Sequence, residues 1–318
     1  MISISVISPI YNSSAHLEKH LKILRELSSK HMVDIEIILV DTGSSDDSVA
    51  IAKKLADKVF ETPDVSRGVA RNIGAKNANR KILAFLDSDC EITENWMLRA
   101  CNLPEEMNEY VFGGPVILDS PNSLLEEPMR NLLLDPFFTC KSSSFSLIRA
   151  SNGVKELSTA NLLISKAFFE KLGGFPDVDF NEDTLFCQKV RKQNGRIIYD
   201  LKLEVVHKHH FSNIQSFIQY FFKYGKKYAI TLKKHPSLIR RYALIALVTP
   251  FIFSALIYFA YVASIGTLIG FLFLIFFVAM LVYSLTKHRT LISGLVPGLF
   301  FLLFLSYVSG FYYGILKK

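Results

Sequence analysis

After Glu204 this sequence contains no acidic residue, although twelve Lys and Arg follow before it ends at Lys318. Up to Glu204 the balance is reversed, with 29 Asp and Glu against 24 Lys and Arg, so the formal charge of +7 averages two unlike regions. Such a division implies two different surroundings. A basic half often binds nucleic acid. Here the basic residues flank long apolar runs, which suits a membrane surface and speaks against a nucleic-acid partner. Paired cysteines are missing too. Cys90, Cys101, Cys140 and Cys187 lie far apart with no Cys-x-x-Cys, which excludes a disulfide framework or a zinc site and fits a reducing compartment. No Lys or Arg precedes Lys19, so the basic start of a secretory signal peptide is not expected.

What the front half does have is a regular alternation of apolar runs and amphipathic stretches. Ile2–Ile7 reads as a strand closed by Pro9, and Ser13 or Ser14 can cap a helix carrying Leu17, Leu21, Leu24 and Leu27. Ile35–Val40 predicts a second strand, followed by a polar loop whose Asp46 or Asp47 can cap a helix to Ala56. Lys58–Glu61, a helix over Ser66–Ala78 and the strand Ile82–Leu86 complete the series. Strand and helix in strict alternation predict an α/β fold with a mostly parallel sheet and right-handed crossovers.

Beyond Asn108 the pattern loosens. Short strands are expected at 110–114 and 115–118, and residues 120–155 read as an irregular insert of the kind that often forms a substrate-binding or lid segment. Order returns over Ser158–Ile164, a short helix to Leu172, a Gly173-Gly174-Phe175-Pro176 turn, a helix opening at Asn181-Glu182-Asp183 and strands at 196–199 and 203–206.

Residues 213–230 place Phe217, Tyr220, Phe221, Tyr224 and Tyr228 on one side with Lys223, Lys226 and Lys227 beside them. That predicts an interfacial helix at a membrane surface, or a helix packed on the domain with solvated lysines. Tyr242–Ser264, Ile265–Leu285 and Leu291–Leu316 are each long enough to cross about 30 Å of hydrocarbon. The expected organisation is therefore a domain over 1–211, an interfacial helix and basic linker over 212–241, and C-terminal transmembrane helices over 242–318 with two to three spans. The basic residues before the first span put the N-terminal domain on the cytoplasmic side of a multi-pass cell-membrane protein, in contact with membrane lipids. The spans carry no charge to line a path, which disfavours a transporter.

Five apolar residues, Ile82–Leu86, run directly into Asp87-Ser88-Asp89. A strand buried on both faces would deliver those acids to the sheet edge where α/β proteins bind ligands. On an extended backbone residues i and i+2 point the same way, so Asp87 and Asp89 could share a divalent cation, unless they are simply a polar turn. Asp41 falls just after its own strand, at the same edge.

These stretches together resemble the family 2 glycosyltransferases of GT-A, Rossmann-like fold. The resemblance rests on Pro9-x-Tyr11-Asn12, Val40-Asp41-Thr42-Gly43-Ser44-Ser45-Asp46, Gly68-Val69-Ala70-Arg71-Asn72, Phe85–Asp89, Gly173-Gly174-Phe175 and Asn181-Glu182-Asp183, in that order over residues 3–210. It implies inverting transfer of a sugar from a nucleotide-diphosphate sugar. Mg²⁺ or Mn²⁺ would be held by Asp87 and Asp89, with His207 as third ligand unless that histidine is structural. Pro9, Tyr11, Asn12, Asp41, Arg71, Asp87 and Ser88 would bind the nucleotide sugar. Thr42 stands where the family commonly has a second Asp, which leaves the base open. Tyr11 could also be packing, and Arg71 a plain helix-surface cation.

Glu182 and Asp183 would be catalytic, Asp183 as the general base, unless they only complement a helix N-terminus. Asn161 resembles an acceptor-side position. A membrane tail suits a lipid-linked saccharide or glycolipid acceptor. The alternatives are a polyprenyl-phosphate glycosyl synthase, whose ionised acceptor needs no base, and a non-catalytic nucleotide-sugar-binding membrane scaffold.

Overall fold

The computed structural model describes residues 3–104, 107–120, 126–129, 154, 156–208, 213–236, 254, 270, 272–274, 276–279 and 296–316. The chain divides into two compact units, one holding every strand and the other holding the C-terminal helices. In the first unit the order is β1 (Ser3–Ile10), α1 (Ser14–Lys30), β2 (Asp34–Asp41), α2 (Ser48–Leu55), β3 (Lys58–Glu61), α3 (Arg67–Lys76), β4 (Ile82–Leu86), β5 (Cys90–Ile92), α4 (Glu94–Ala100), β6 (Tyr110–Gly113), β7 (Val116–Leu118), β8 (Asn161–Ser165), α5 (Lys166–Lys171), α6 (Glu182–Lys192), β9 (Arg196–Tyr199) and β10 (Val205–His207). Seven strands form one sheet in the order β3-β2-β1-β4-β8-β6-β9, and β5-β10-β7 form a second. The large sheet is mostly parallel; β8 alone runs against its neighbours β4 and β6.

Burial on both faces is visible residue by residue in β4. Ile82, Ala84 and Leu86 join a core with Leu17, Leu21 and Leu24 of α1, whereas Leu83 and Phe85 join Ile7, Leu162, Ile164 and Phe168 in another. The alternation of a strand sends neighbouring side chains to opposite faces, and here both faces are covered. Parallel pairing sets Ile10 opposite Asp41 and Ile7 opposite Phe85, so β1, β2 and β4 end at one edge. Pro9 does not close the first strand. It sits inside β1, which continues to Ile10.

Two elements have no forerunner in the sequence reading, β5 and α4. β5 is three residues long and interleaves Glu91 between Cys90 and Ile92, too short for any periodicity. The cap of α4 is a clear signal in retrospect, since the Thr93 side chain accepts from the Trp96 amide at 3.2 Å. Most of the irregular insert at 120–155 lies outside the described residues.

In the second unit, α7 (Ile214–Lys234) and α8 (Val296–Leu316) pack along one another. Tyr224 meets Tyr307 and Tyr228 meets Phe311, with ring centroids 6.1 and 6.3 Å apart, and Lys226 lies over Tyr313 at 5.0 Å. Contacts advance in step along both helices, so they run in the same direction. The aromatic side of α7 expected to face lipid is thus occupied by α8, because the tyrosines and phenylalanines find protein partners first. Close approach depends on small residues: a Cβ on Gly310 would strike the Phe222 carbonyl oxygen, and one on Gly314 the Lys226 carbonyl oxygen.

Gly298–Leu316 is the one stretch among the described residues long and apolar enough to cross a membrane. The expected spans 242–264 and 265–285 lie almost wholly outside the described residues. Replacing Gly310 by Val should separate the pair and lower stability by about 1–3 kcal/mol, read as a drop in melting temperature of the detergent-solubilised protein.

Candidate active site

The edge where β1, β2 and β4 end is laced together by loop side chains. Asn12, held at φ 47°, takes the Ser45 amide on its side-chain oxygen at 2.8 Å and donates its own amide to Ser44 Oγ at 2.9 Å. Asp41 is buried, and its carboxylate accepts from the amides of Gly43 (2.9 Å) and Ser44 (3.0 Å). The Thr42 hydroxyl donates to the Ile10 carbonyl at 3.3 Å, a bond that an ionised Asp, having no proton, could not make. Pro9 is half-buried. Tyr11 is 63% exposed, so it is not a packing residue, and its ring lies open at the end of β1.

Asp87 and Asp89 meet different partners. A tight turn, Cys90 N–H to Asp87 O at 3.0 Å, replaces the extended backbone on which i and i+2 would point alike. Asp87 Oδ1 accepts from Arg71 Nη2 at 2.6 Å. Asp89 instead faces β10, where its Oδ1 lies 3.4 Å from His207 Nε2. Burial alone would push the Asp87 carboxyl up, but the charges of Arg71, Arg67 and His207 hold it below the usual carboxylate range. Ser88 is buried, with its hydroxyl 3.0 Å from that of Ser13.

Arg71 is fully buried and has a second carboxylate partner, Glu182, reached by Nη1 at 2.8 Å. It is therefore not a surface cation, and both of its Nη groups are engaged by carboxylates. Thr159 adds a hydroxyl bond to Glu182 Oε1 at 3.3 Å. Arg71 and Thr159 thus both engage the Glu182 carboxylate. The next residue is different. Asp183 is half-buried, and burial together with the charges of Glu182 and Glu156 pushes its carboxyl up to about 7, against the pull of the Thr184 amide at 2.7 Å. A carboxylate tuned close to neutrality suits a general base. Asn181, at φ 59°, turns the chain sharply into α6 so that both acids sit in its first turn.

Asn161 is 1% exposed, its Oδ1 accepts from Trp96 Nε1 at 2.9 Å and its amide donates to Leu203 O at 2.6 Å. These bonds tie the start of β8 to α4 and to the turn ahead of β10.

Asp89, Cys90 and His207 form the cluster whose ligand atoms lie close enough for a cation. Burial, followed by the charges of Asp89 and Asp87, raises the Cys90 thiol well above its ordinary value, so it stays a neutral, soft group. Mg²⁺ and Mn²⁺ prefer oxygen donors, and of the two Mn²⁺ more readily takes an imidazole as well. Neighbouring ligands on such an ion sit about 3 Å apart, and the Asp89–His207 pair matches that spacing. The Asp89 and His207 side chains fit a hard divalent cation. Four residues in this neighbourhood were missed from the sequence: Ser13, His20, Glu156 and Thr159. His20 had a signal, a polar residue amid the Leu17, Leu21, Leu24 stripe of α1.

A strand-end acid tied through a buried arginine to a helix-start acid, with a near-neutral carboxylate beside it, defines a polar centre at the sheet edge of an α/β protein. The profile of Glycosyl transferase family 2 matches residues 5–167, and the chain belongs to that family. It is 24% identical over 232 residues to the O-antigen chain rhamnosyltransferase RfbN of Salmonella typhimurium, covering 69% of this chain and 71% of that one. It is 27% identical to the GalNAc(5)-diNAcBac-PP-undecaprenol beta-1,3-glucosyltransferase of Campylobacter jejuni, over 61% of this chain and 62% of that one. Among solved structures, the mannosyltransferase PcManGT of Pyrobaculum calidifontis, in complex with GDP-Man and Mn²⁺, shares the fold with a TM-score of 0.58. Its identity is 15%, over 94% of this chain and 85% of that one.

The sign of one pH effect follows from Asp183. Its pKa of about 7 in the folded chain lies above the ordinary 3.8, so its contribution to stability is complete below about pH 4 and is lost as pH rises through about 7. Asp183→Asn should therefore stabilise the protein at pH 8, by on the order of 1–3 kcal/mol, and hardly at pH 4. Thermal unfolding at the two pH values checks this.

Proposed function

We propose that this glycosyltransferase moves a sugar, with inversion, from a nucleotide-diphosphate sugar to a lipid-linked saccharide or glycolipid, and that it works at the cytoplasmic face of a membrane. The observation that carries the reading is the Arg71 bridge. It couples the strand-end turn, where a nucleotide diphosphate would lie, to the helix that presents Asp183. In this mechanism the acceptor hydroxyl gives its proton to Asp183 as its oxygen attacks the anomeric carbon. The bond from that carbon to the diphosphate oxygen breaks on the opposite side, and its electron pair leaves with the nucleoside diphosphate. Asp89 and His207 would hold Mg²⁺ or Mn²⁺, which supplies positive charge to the departing diphosphate. Asp41 and Asn12 keep the loops after β2 and β1 in shape, and the open Tyr11 ring would stack on a base.

A hydroxyl acceptor is favoured over a polyprenyl phosphate because Asp183 is held near neutrality, a tuning that an already ionised acceptor would not need. Membrane attachment is supported by the apolar helix Gly298–Leu316 and by the acid-free, basic sequence after Glu204. The Campylobacter relative is, by its name, a transferase onto an undecaprenol-diphosphate saccharide.

Asp183→Asn should cut turnover by about 10²–10⁴-fold with the protein still folded, the usual worth of a general base. Near-full activity of that variant would point to a polyprenyl-phosphate acceptor. Asp89→Asn should abolish both turnover and Mn²⁺ binding. A wild-type protein whose melting temperature does not respond to any nucleotide diphosphate with Mn²⁺ would sink the enzymatic reading altogether.

A further inference from the structure

Helix α1 reaches the acid turn at two points. Near its start the Ser13 hydroxyl meets that of Ser88 at 3.0 Å. Two turns further on, His20 Nδ1 lies 2.7 Å from the Cys90 carbonyl oxygen. A carbonyl only accepts, so Nδ1 carries the proton and Nε2 keeps a bare lone pair. His20 is 1% exposed, and its Nε2 has no hydrogen-bond partner among the described residues. Burying an unsatisfied ring nitrogen costs stability, and a leucine here would simply extend the apolar face of α1. The histidine is therefore explained by the one bond it makes.

That bond falls at a sensitive place. β5 ends its three-stranded sheet and pairs on one side only, with β10. Cys90 is the β5 residue opposite His207. Its amide closes the turn on Asp87 at 3.0 Å, and the Asp89 carbonyl accepts from the Lys208 amide at 2.8 Å. With the Cys90 carbonyl also fixed, the backbone on both sides of Asp89 is pinned and its carboxylate is aimed at His207.

We propose that His20 is a positioning residue that, as the Nδ1–H tautomer, holds the Cys90 carbonyl and thereby sets the Asp89–His207 spacing for a divalent cation. This rests on the cation-binding reading of Asp89 and His207 given above. Two amide substitutions of similar polarity separate this role from simple packing. His20→Asn places an amide donor where Nδ1 stands, whereas His20→Gln places one at the Nε2 position and lacks the bond to Cys90.

Binding of Mn²⁺ alone to the full chain in detergent, followed by the paramagnetic resonance of free Mn²⁺, should weaken about tenfold or more in His20→Gln. In His20→Asn it should stay within about threefold of the wild type. Wild-type affinity in His20→Gln, or equal loss in both variants, overturns the proposal. If the wild type binds no Mn²⁺, the cation reading fails instead. The tautomer is read independently in the wild-type protein from the two-bond ¹⁵N–¹H correlations of the His20 ring at neutral pH. An Nε2–H tautomer there refutes the proposal even if neither variant folds.

Discussion

A single guanidinium with no exposure to water holds the site together. Arg71 is bonded on one side to Asp87, at the end of β4, and on the other to Glu182, which lies 111 residues away in sequence at the start of α6. Two carboxylates and one buried cation are stable only as a set, since removing the cation would leave two uncompensated acids. The helix that carries Arg71 is placed by close contacts of its own. A Cβ on Gly68 would strike the Pro176 carbonyl oxygen, so only glycine lets α3 meet the Gly173–Pro176 turn. One turn later Asn72 exchanges two bonds with the Phe175 backbone, both at 2.9 Å. Phe175 in turn lies beneath the guanidinium, 6.0 Å from ring to charge. The motif Gly68–Asn72 thus reads as the set of contacts that delivers one charge to one place.

The parts of the fold legible in the sequence are those whose signal repeats. β2, β3, β4 and β9 and the leucine stripe of α1 stand where periodicity and turn residues put them, because burial on both faces or along one stripe leaves a pattern many residues long. The coincidence of Asp41, Asp87 and Asp89 at one edge followed from strand order alone. What periodicity does not carry is the direction of a side chain after its strand has ended. Asp87 and Asp89 part because a turn bond intervenes, Asn161 is drawn into the interior by Trp96 and Leu203, and Arg71 is buried by partners far off in sequence. The three-residue β5, on which the acid turn depends, is too short to register at all.

The two halves of the Glu182-Asp183 pair illustrate the same limit in electrostatic terms. Adjacent acids in the first turn of a helix look equivalent in sequence, yet one is bonded to Arg71 and Thr159 and the other is left against like charge. Environment splits them into a carboxylate tied to Arg71 and one whose carboxyl is pushed up towards neutrality. At the neighbour of Asp89 the same two causes act on a thiol: burial and the adjacent acids raise the Cys90 group well above its ordinary value.

The shared direction of α7 and α8 has an electrical consequence. Two helices side by side and parallel bring both carbonyl-rich C-terminal ends together, and with them the negative ends of both macrodipoles. The last turn of α7 carries Lys233 and Lys234, and in sequence α8 is followed at once by Lys317 and Lys318. Lys233 and Lys234, which read as part of a membrane signal, are also the counter-charge at this end of α7, a partner inside the protein that requires no lipid.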